Sequence, residues 1–151
     1  MAFSALIGAA ALWSGAAAAD DCGGAPGSTM LNVHVEGVRA AKGDVTVTVY
    51  PDDAKRFLAP KSKLARERPT AKAPETTACF TLPGPGYYAV AVYHDANGDN
   101  DFNRTLVGLP AEGFGFSNDP STITGLPSFK SVRFQVGPGE TQLPIKLRYL
   151  K

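Results

Sequence analysis

The run Met30–Tyr50, MLNVHVEGVRAAKGDVTVTVY, decides the fold. Leu31, Val33 and Val35 alternate with Asn32, His34 and Glu36, so every second residue is apolar. After the turn residues Lys42-Gly43-Asp44 the same rhythm resumes at Val45, Val47 and Val49. A period of two places one apolar and one polar face on an extended chain, and β-branched valines favour that state. The segment reads as two strands.

Working outward, the rhythm recurs in TACFTL (77–82), YYAVAVYH (87–94), SVRFQV (131–136) and TQLPIKLRYL (141–150). Pro83-Gly84-Pro85-Gly86 and Gly137-Pro138-Gly139 punctuate these runs with turn chemistry. No amphipathic helical run exceeds two or three turns. The pattern predicts an all-β domain over residues 29–151: an antiparallel β-sandwich of about seven strands, immunoglobulin-like or transthyretin-like, with a small closed barrel as the alternative. The net charge of +1 gives no pull toward nucleic acid, and none is expected as a partner.

The N-terminus reads differently. MAFSALIGAAALWSGAAAA, residues 1–19, is apolar, uncharged and ends in small residues. These are marks of a secretory signal peptide cleaved before Asp20, although no Lys or Arg marks its start. The stretch is short for a membrane span, and no later segment is apolar enough to be one. A periplasmic or secreted monomer follows, with a Gly-rich leader over residues 20–28. In an oxidising compartment the two cysteines, Cys22 in the leader and Cys79 in a strand, most simply form one disulfide.

Two segments break the strand rhythm. Asp52–Leu58 fits one or two helical turns with Phe57 and Leu58 packed inward. Lys55–Lys72 then carries seven Lys or Arg against one acid, Glu67. That charge suits an anionic surface such as lipopolysaccharide or a polyanionic glycan, or a solvated crossover loop. The second segment, Asp95–Phe129, is long for a hairpin connection. Its stretch Gly113, Phe114, Gly115, Phe116, Ser117, Asn118 reads as an Ω-like flap pinned by two phenylalanines, or as a recognition surface.

Within it, HDANGDNDFN concentrates side-chain oxygens. Asp95, Asn97 and Asp99 fall at alternate positions, as in a loop that wraps a hard cation such as Ca²⁺. Asp101 can add a backbone carbonyl and Asn103 an amide oxygen, while Asn100 tolerates the left-handed backbone such a loop needs. The twelfth position is Leu106, not the usual glutamate. Glu112, or less favourably Asp119, would have to fold back to complete the cage. The competing reading is a polar turn, since Asn, Gly and Asp are also turn residues.

Catalytic signatures are lacking. His34 and His94 are the only histidines; His94 precedes Asp95, and neighbours in a strand point to opposite faces. No nucleophile elbow, zinc-protease helix or phosphate-cradling loop is present, and no enzyme is expected.

One resemblance organises these residues. LPGPGYYAVAVYHDANGDNDFN, then GLPAEGFGFSND and PSF, resembles the bacterial secreted family known as domain of unknown function 2141. Its pattern maps onto Leu82, Tyr88, Ala89, Val90, His94, Asp95 and Asn97. It continues through Gly108, Pro110, Glu112, Gly113, Gly115, Phe116, Ser117 and Asn118. Asp99 stands where Asn is usual and Asn103 where Asp is expected. The resemblance implies an exported β-sandwich and supplies no activity. Two functions stay open: a calcium-stabilised module binding an envelope or extracellular partner or glycan, and an accessory binding a small apolar ligand between sandwich and flap.

Overall fold

The computed structural model describes residues 28–150. The signal-peptide, leader and Cys22 expectations lie outside the described residues. Eight strands form: β1 (Thr29–Glu36), β2 (Asp44–Pro51), β3 (Ala65–Glu67), β4 (Glu75–Leu82), β5 (Gly86–Asp95), β6 (Phe114–Phe116), β7 (Phe134–Val136) and β8 (Glu140–Lys146). One short helix, α1 (Phe129–Val132), precedes β7.

The strands divide into two sheets that pack as a sandwich. The three-stranded sheet has the order β4-β1-β8, and the five-stranded sheet runs β3-β2-β5-β6 with β7 also on β5. β6 and β7 share one edge of β5 end to end: β6 lies opposite Ala91–Tyr93 and β7 opposite Gly86–Tyr88. β1 and β8 run parallel, with Val33 opposite Leu143, so the sandwich is not wholly antiparallel as expected.

The alternation read from the sequence is the packing pattern. Leu31, Val33 and Val35 face Val45, Val47 and Val49 across the interior, and all six are fully buried. Val90 and Val92 of β5, Phe80 and Leu82 of β4, and Ile145 of β8 complete this core. Fully burying one such side chain stabilises by roughly 1.5–3 kcal/mol, so this face dominates the fold's energetics.

The five-stranded sheet is covered on its other face as well. A second cluster joins Tyr50, Ala89, Phe114, Phe116 and Val132, with Phe57 and Phe129 packed against it. Thr46 and Thr48, which alternate with the core valines and read as solvent-facing, are buried there.

Three expectations need correction. The 113–118 stretch is not a flap; Phe114–Phe116 is strand β6, hydrogen-bonded into the sheet. The basic 55–72 segment is not only a crossover loop, because Ala65–Glu67 pairs with β2. In the Asp52–Leu58 turn Phe57 packs onto the second cluster, but Leu58 is exposed in a left-handed conformation (φ 59°).

The glycines explain why β6 can join. A Cβ on Gly115 would lie 2.8 Å from both Ile145 Cγ2 and the Lys146 carbonyl oxygen, and one on Gly113 would run into the Tyr149 ring. Only glycines let this strand pass so close to β8 and the chain end. Ser117 and Asn118 then fasten it. Val90 N–H donates to Ser117 Oγ at 3.0 Å, and the Asn118 amide donates to the carbonyls of Ser131 and Arg133.

Candidate functional site

Cross-strand register builds a cleft on the outer face of the five-stranded sheet. One row across the sheet reads Arg66, Thr48, Ala91, Phe116; the next sets Thr46, Tyr93 and Phe114 side by side. Thr48 and Ala91 are small, while their neighbours Tyr50, Tyr93, Phe114 and Phe116 are large, so the sheet surface dips between aromatic walls. Phe102, from the loop after β5, packs against Tyr93 (ring centroids 5.5 Å apart) and Phe114 (6.4 Å). Leu58, Pro110 and Leu126 form the remaining rim.

The resulting cleft holds about 300 Å³, with mostly apolar walls. A void of about 150 Å³ lined by apolar side chains already accommodates benzene, and ligand sites begin near 300 Å³. A second hollow of about 500 Å³ adjoins it, sharing Arg104, Pro110, Phe114 and Leu126. Its margin exposes Ile123 (91%) and Leu109 (54%), an unusual density of uncovered aliphatic surface.

Arginines flank the cleft. Arg66 Nε donates to Thr48 Oγ1 at 2.9 Å, and Arg68 Nη1 donates to Thr46 Oγ1 at 2.8 Å and Tyr93 Oη at 3.2 Å. Arg104 stacks its guanidinium 5.3 Å from the Phe102 ring centre. Burial pushes the Tyr50 phenol above its ordinary range, and the Arg66 charge pulls it partly back. Tyr50 therefore keeps its proton at neutral pH and can donate a hydrogen bond. No motif announced this site. The only signal was the pairing of small residues with aromatics at alternate positions of β5 and β6.

The acidic residues gather in one loop, closed by its own hydrogen bonds. Asp95 is buried and accepts from the backbone N–H of Asp99 (3.2 Å) and Asn100 (2.8 Å). Asp99 accepts from Asp101 N–H and from the amides of Asn97 and Asn103. Asp101 accepts from the N–H of Phe102. Asn100 adopts the left-handed conformation (φ 64°).

Glu112 reaches back to this loop, where its Oε2 accepts from Asn103 N–H at 3.1 Å. Burial pushes the Glu112 carboxyl above its ordinary range, and the Asp95 and Asp99 charges push it further. Asp119 lies elsewhere, accepting from Lys146 N–H. Among the described residues, no group of three or more His, Cys, Asp or Glu side chains is arranged to hold a metal ion.

His94 points into the sandwich and Asp95 out of it. The buried His94 ring has Nε2 2.7 Å from the Lys42 carbonyl, to which it donates, and Nδ1 2.9 Å from Tyr149 Oη. Tyr149 Oη in turn accepts from Arg39 N–H at 3.2 Å. Both ring nitrogens are engaged, so the histidine fastens the chain end to β5. Cys79 is half-buried in β4 opposite Asn32, on the face turned away from the core. Its expected partner, Cys22, lies outside the described residues.

No helix among the described residues is long and apolar enough to cross a membrane. No curated protein and no solved structure matches this chain. One family does, over residues 33–144, which takes in both sheets, the acidic loop and the cleft. Its description is "Uncharacterized protein conserved in bacteria", and the chain belongs to this family, domain of unknown function 2141.

Proposed function

We propose that this protein is an exported, monomeric, non-catalytic binding module that carries a small apolar ligand in the cleft beside β6. The observation that carries this reading is the 300 Å³ hollow over Ala91, walled by Phe114, Phe116 and Tyr93. Of the two functions left open by the sequence, it favours the apolar-ligand accessory, with the ligand on the outer face of the sheet. The engagement of both His94 nitrogens by structural partners supports the non-catalytic part of the reading.

The test is uptake of a neutral apolar dye, Nile red, by wild type and by Ala91→Phe, whose ring fills the floor. Fluorescence enhancement in wild type, lost in a variant that still melts cooperatively, supports the cleft. Equal enhancement by both proteins places the binding elsewhere and overturns the reading.

The return of Glu112 to the acidic loop favours a second, structural role there. In this reading Asp95, Asn97, Asp99, Asp101, Asn103 and Glu112 rearrange from their mutual hydrogen bonds to hold Ca²⁺ weakly, with an affinity of roughly 10⁻⁴–10⁻³ M, as extracellular modules do. The ion would clasp the loop that delivers Phe102 to the cleft.

A further inference from the structure

The charges around the cleft are one-sided. Among the described residues, the ion pairs are Arg133 with Asp52 and His34 with Glu75. No carboxylate of the described residues lies within 4 Å of the guanidinium of Arg66, Arg68 or Arg104, and all three border the aromatic face. Arg133 shows the contrast, since it meets Asp52 through two hydrogen bonds of 2.6 and 2.9 Å.

Arg66 is held in place by a neutral group. Its Nε is fixed on Thr48 Oγ1, and its charge is felt by the neighbouring Tyr50 phenol. Arg68 is half-buried, and the groups that accept from it are hydroxyls. A guanidinium fixed by neutral acceptors keeps its full charge and its planar fork, which matches a carboxylate. Guanidinium is also weakly hydrated, so presenting it beside apolar walls costs less than presenting an ammonium.

We infer that the cleft takes a small amphiphilic carboxylate, its apolar body against Ala91, Phe114 and Phe116 and its carboxylate on Arg66, with Arg104 adding charge from the loop side. This rests on the cleft being the binding site and adds the class of ligand. The size fits a two-ring or medium-chain acid: the cleft has about twice the volume that admits benzene. A phosphate diester with two long chains, or a glycan, would not enter it. The carboxylate needs no counter-ion from solvent, because the protein supplies the positive charge before the ligand arrives.

The experiment uses a matched pair of probes, 2-naphthoate and the neutral 2-naphthamide, titrated into wild type and Arg66→Gln. Perturbed Ala91 and Phe116 resonances report where they bind. A hydrogen-bonded charge pair typically contributes about 1.5–3 kcal/mol, so wild type should prefer the acid by about tenfold or more. Arg66→Gln should remove most of that preference while leaving the affinity for the amide unchanged. Arg66 sits on an exposed edge strand, and Arg104→Gln provides a second, milder variant in which the preference narrows. Equal affinity for acid and amide in wild type overturns the carboxylate assignment and leaves the apolar cleft standing. Loss of both probes together with loss of Nile red uptake overturns the cleft and, with it, this inference.

Discussion

At the scale of single residues, His34 shows how an outward-facing position acquires a role. It stands on β1 between β4 and β8, its Nδ1 3.1 Å from Glu75 and its Nε2 bonded to Gln142. The bond to Gln142 raises the imidazole above its ordinary value of 6.5, and Glu75 and Glu36 add to the shift against a smaller opposing effect of burial. The protonated ring donates from both nitrogens; the neutral ring can donate from only one. A raised folded pKa means the contribution is complete below 6.5 and disappears as pH climbs through the folded value. Urea midpoints of wild type and His34→Gln should therefore differ most near about pH 6 and converge toward about pH 8. A gap that widens with rising pH would show that the neutral ring makes the stronger contacts. The alternation made His34 legible as an exposed position, but its partners lie 41 and 108 residues away and no local pattern could announce them.

At the scale of elements, the acidic loop joins the question of the turn to that of the cation. The sequence placed Asp95, Asn97 and Asp99 at cage spacing, and the left-handed Asn100 suits both readings. What was illegible was how the carboxylates tolerate one another. Backbone N–H groups and asparagine amides point at them and offset much of the repulsion. Glu112 is the exception, because its raised pKa records a carboxylate disfavoured in the folded state. Its sign is opposite to that of a salt-bridged acid: stability falls as pH rises from 4.5 through the folded value, where the native state still holds the proton. Glu112→Gln should therefore raise stability at neutral pH in the presence of chelator. Calcium reverses the comparison if the loop binds it. At a hundredfold excess over the dissociation constant, wild type should gain about 2.7 kcal/mol, and Glu112→Gln should gain far less. Thermal melts of both proteins in Ca²⁺ and in excess chelator read all four states. Coincident wild-type curves would reduce the loop to a turn.

Strands β3 and β6 mark where legibility ended among the elements. Each has three residues, too few to establish a period, and each lies in a stretch whose composition spoke louder. The basic charge of Lys55–Lys72 suggested a solvated loop, yet Arg66 and Arg68 reach over the sheet to the hydroxyls of Thr48 and Thr46. The glycines of Gly113-Phe114-Gly115-Phe116 suggested a flap, but they are present because β8 and Tyr149 leave no room for a Cβ. Glycine for close approach and glycine for a loop look alike in a sequence. The cleft stayed hidden for the same reason: its floor and walls come from β2, β5 and β6, and only their register brings Thr48, Ala91 and Phe116 into one row.

At the scale of the whole molecule, the two sheets differ in what lies on their outer faces. The five-stranded sheet is packed on both faces, whereas the outer face of β4-β1-β8 carries polar residues such as His34, Glu75 and Gln142 beside Cys79. A covalent tie on that face would add to the packing of the sheet's inner face. Cys79 offers the attachment point, half-buried and turned away from the core. A bridge to Cys22 would close a long loop through β1 and β2, and in the chain-entropy model such closure stabilises by about 4 kcal/mol. The bridge depends on export, since thiols stay reduced in the cytosol. Protein purified from its own host and unfolded without reductant should show no free thiol, and reductant should lower its melting temperature. Cys79→Ser should melt like the reduced protein and respond no further to reductant. Two titratable thiols in unreduced protein would remove the tie and leave the three-stranded sheet held by its ladders, β1 with β4 and β8, and by its core face.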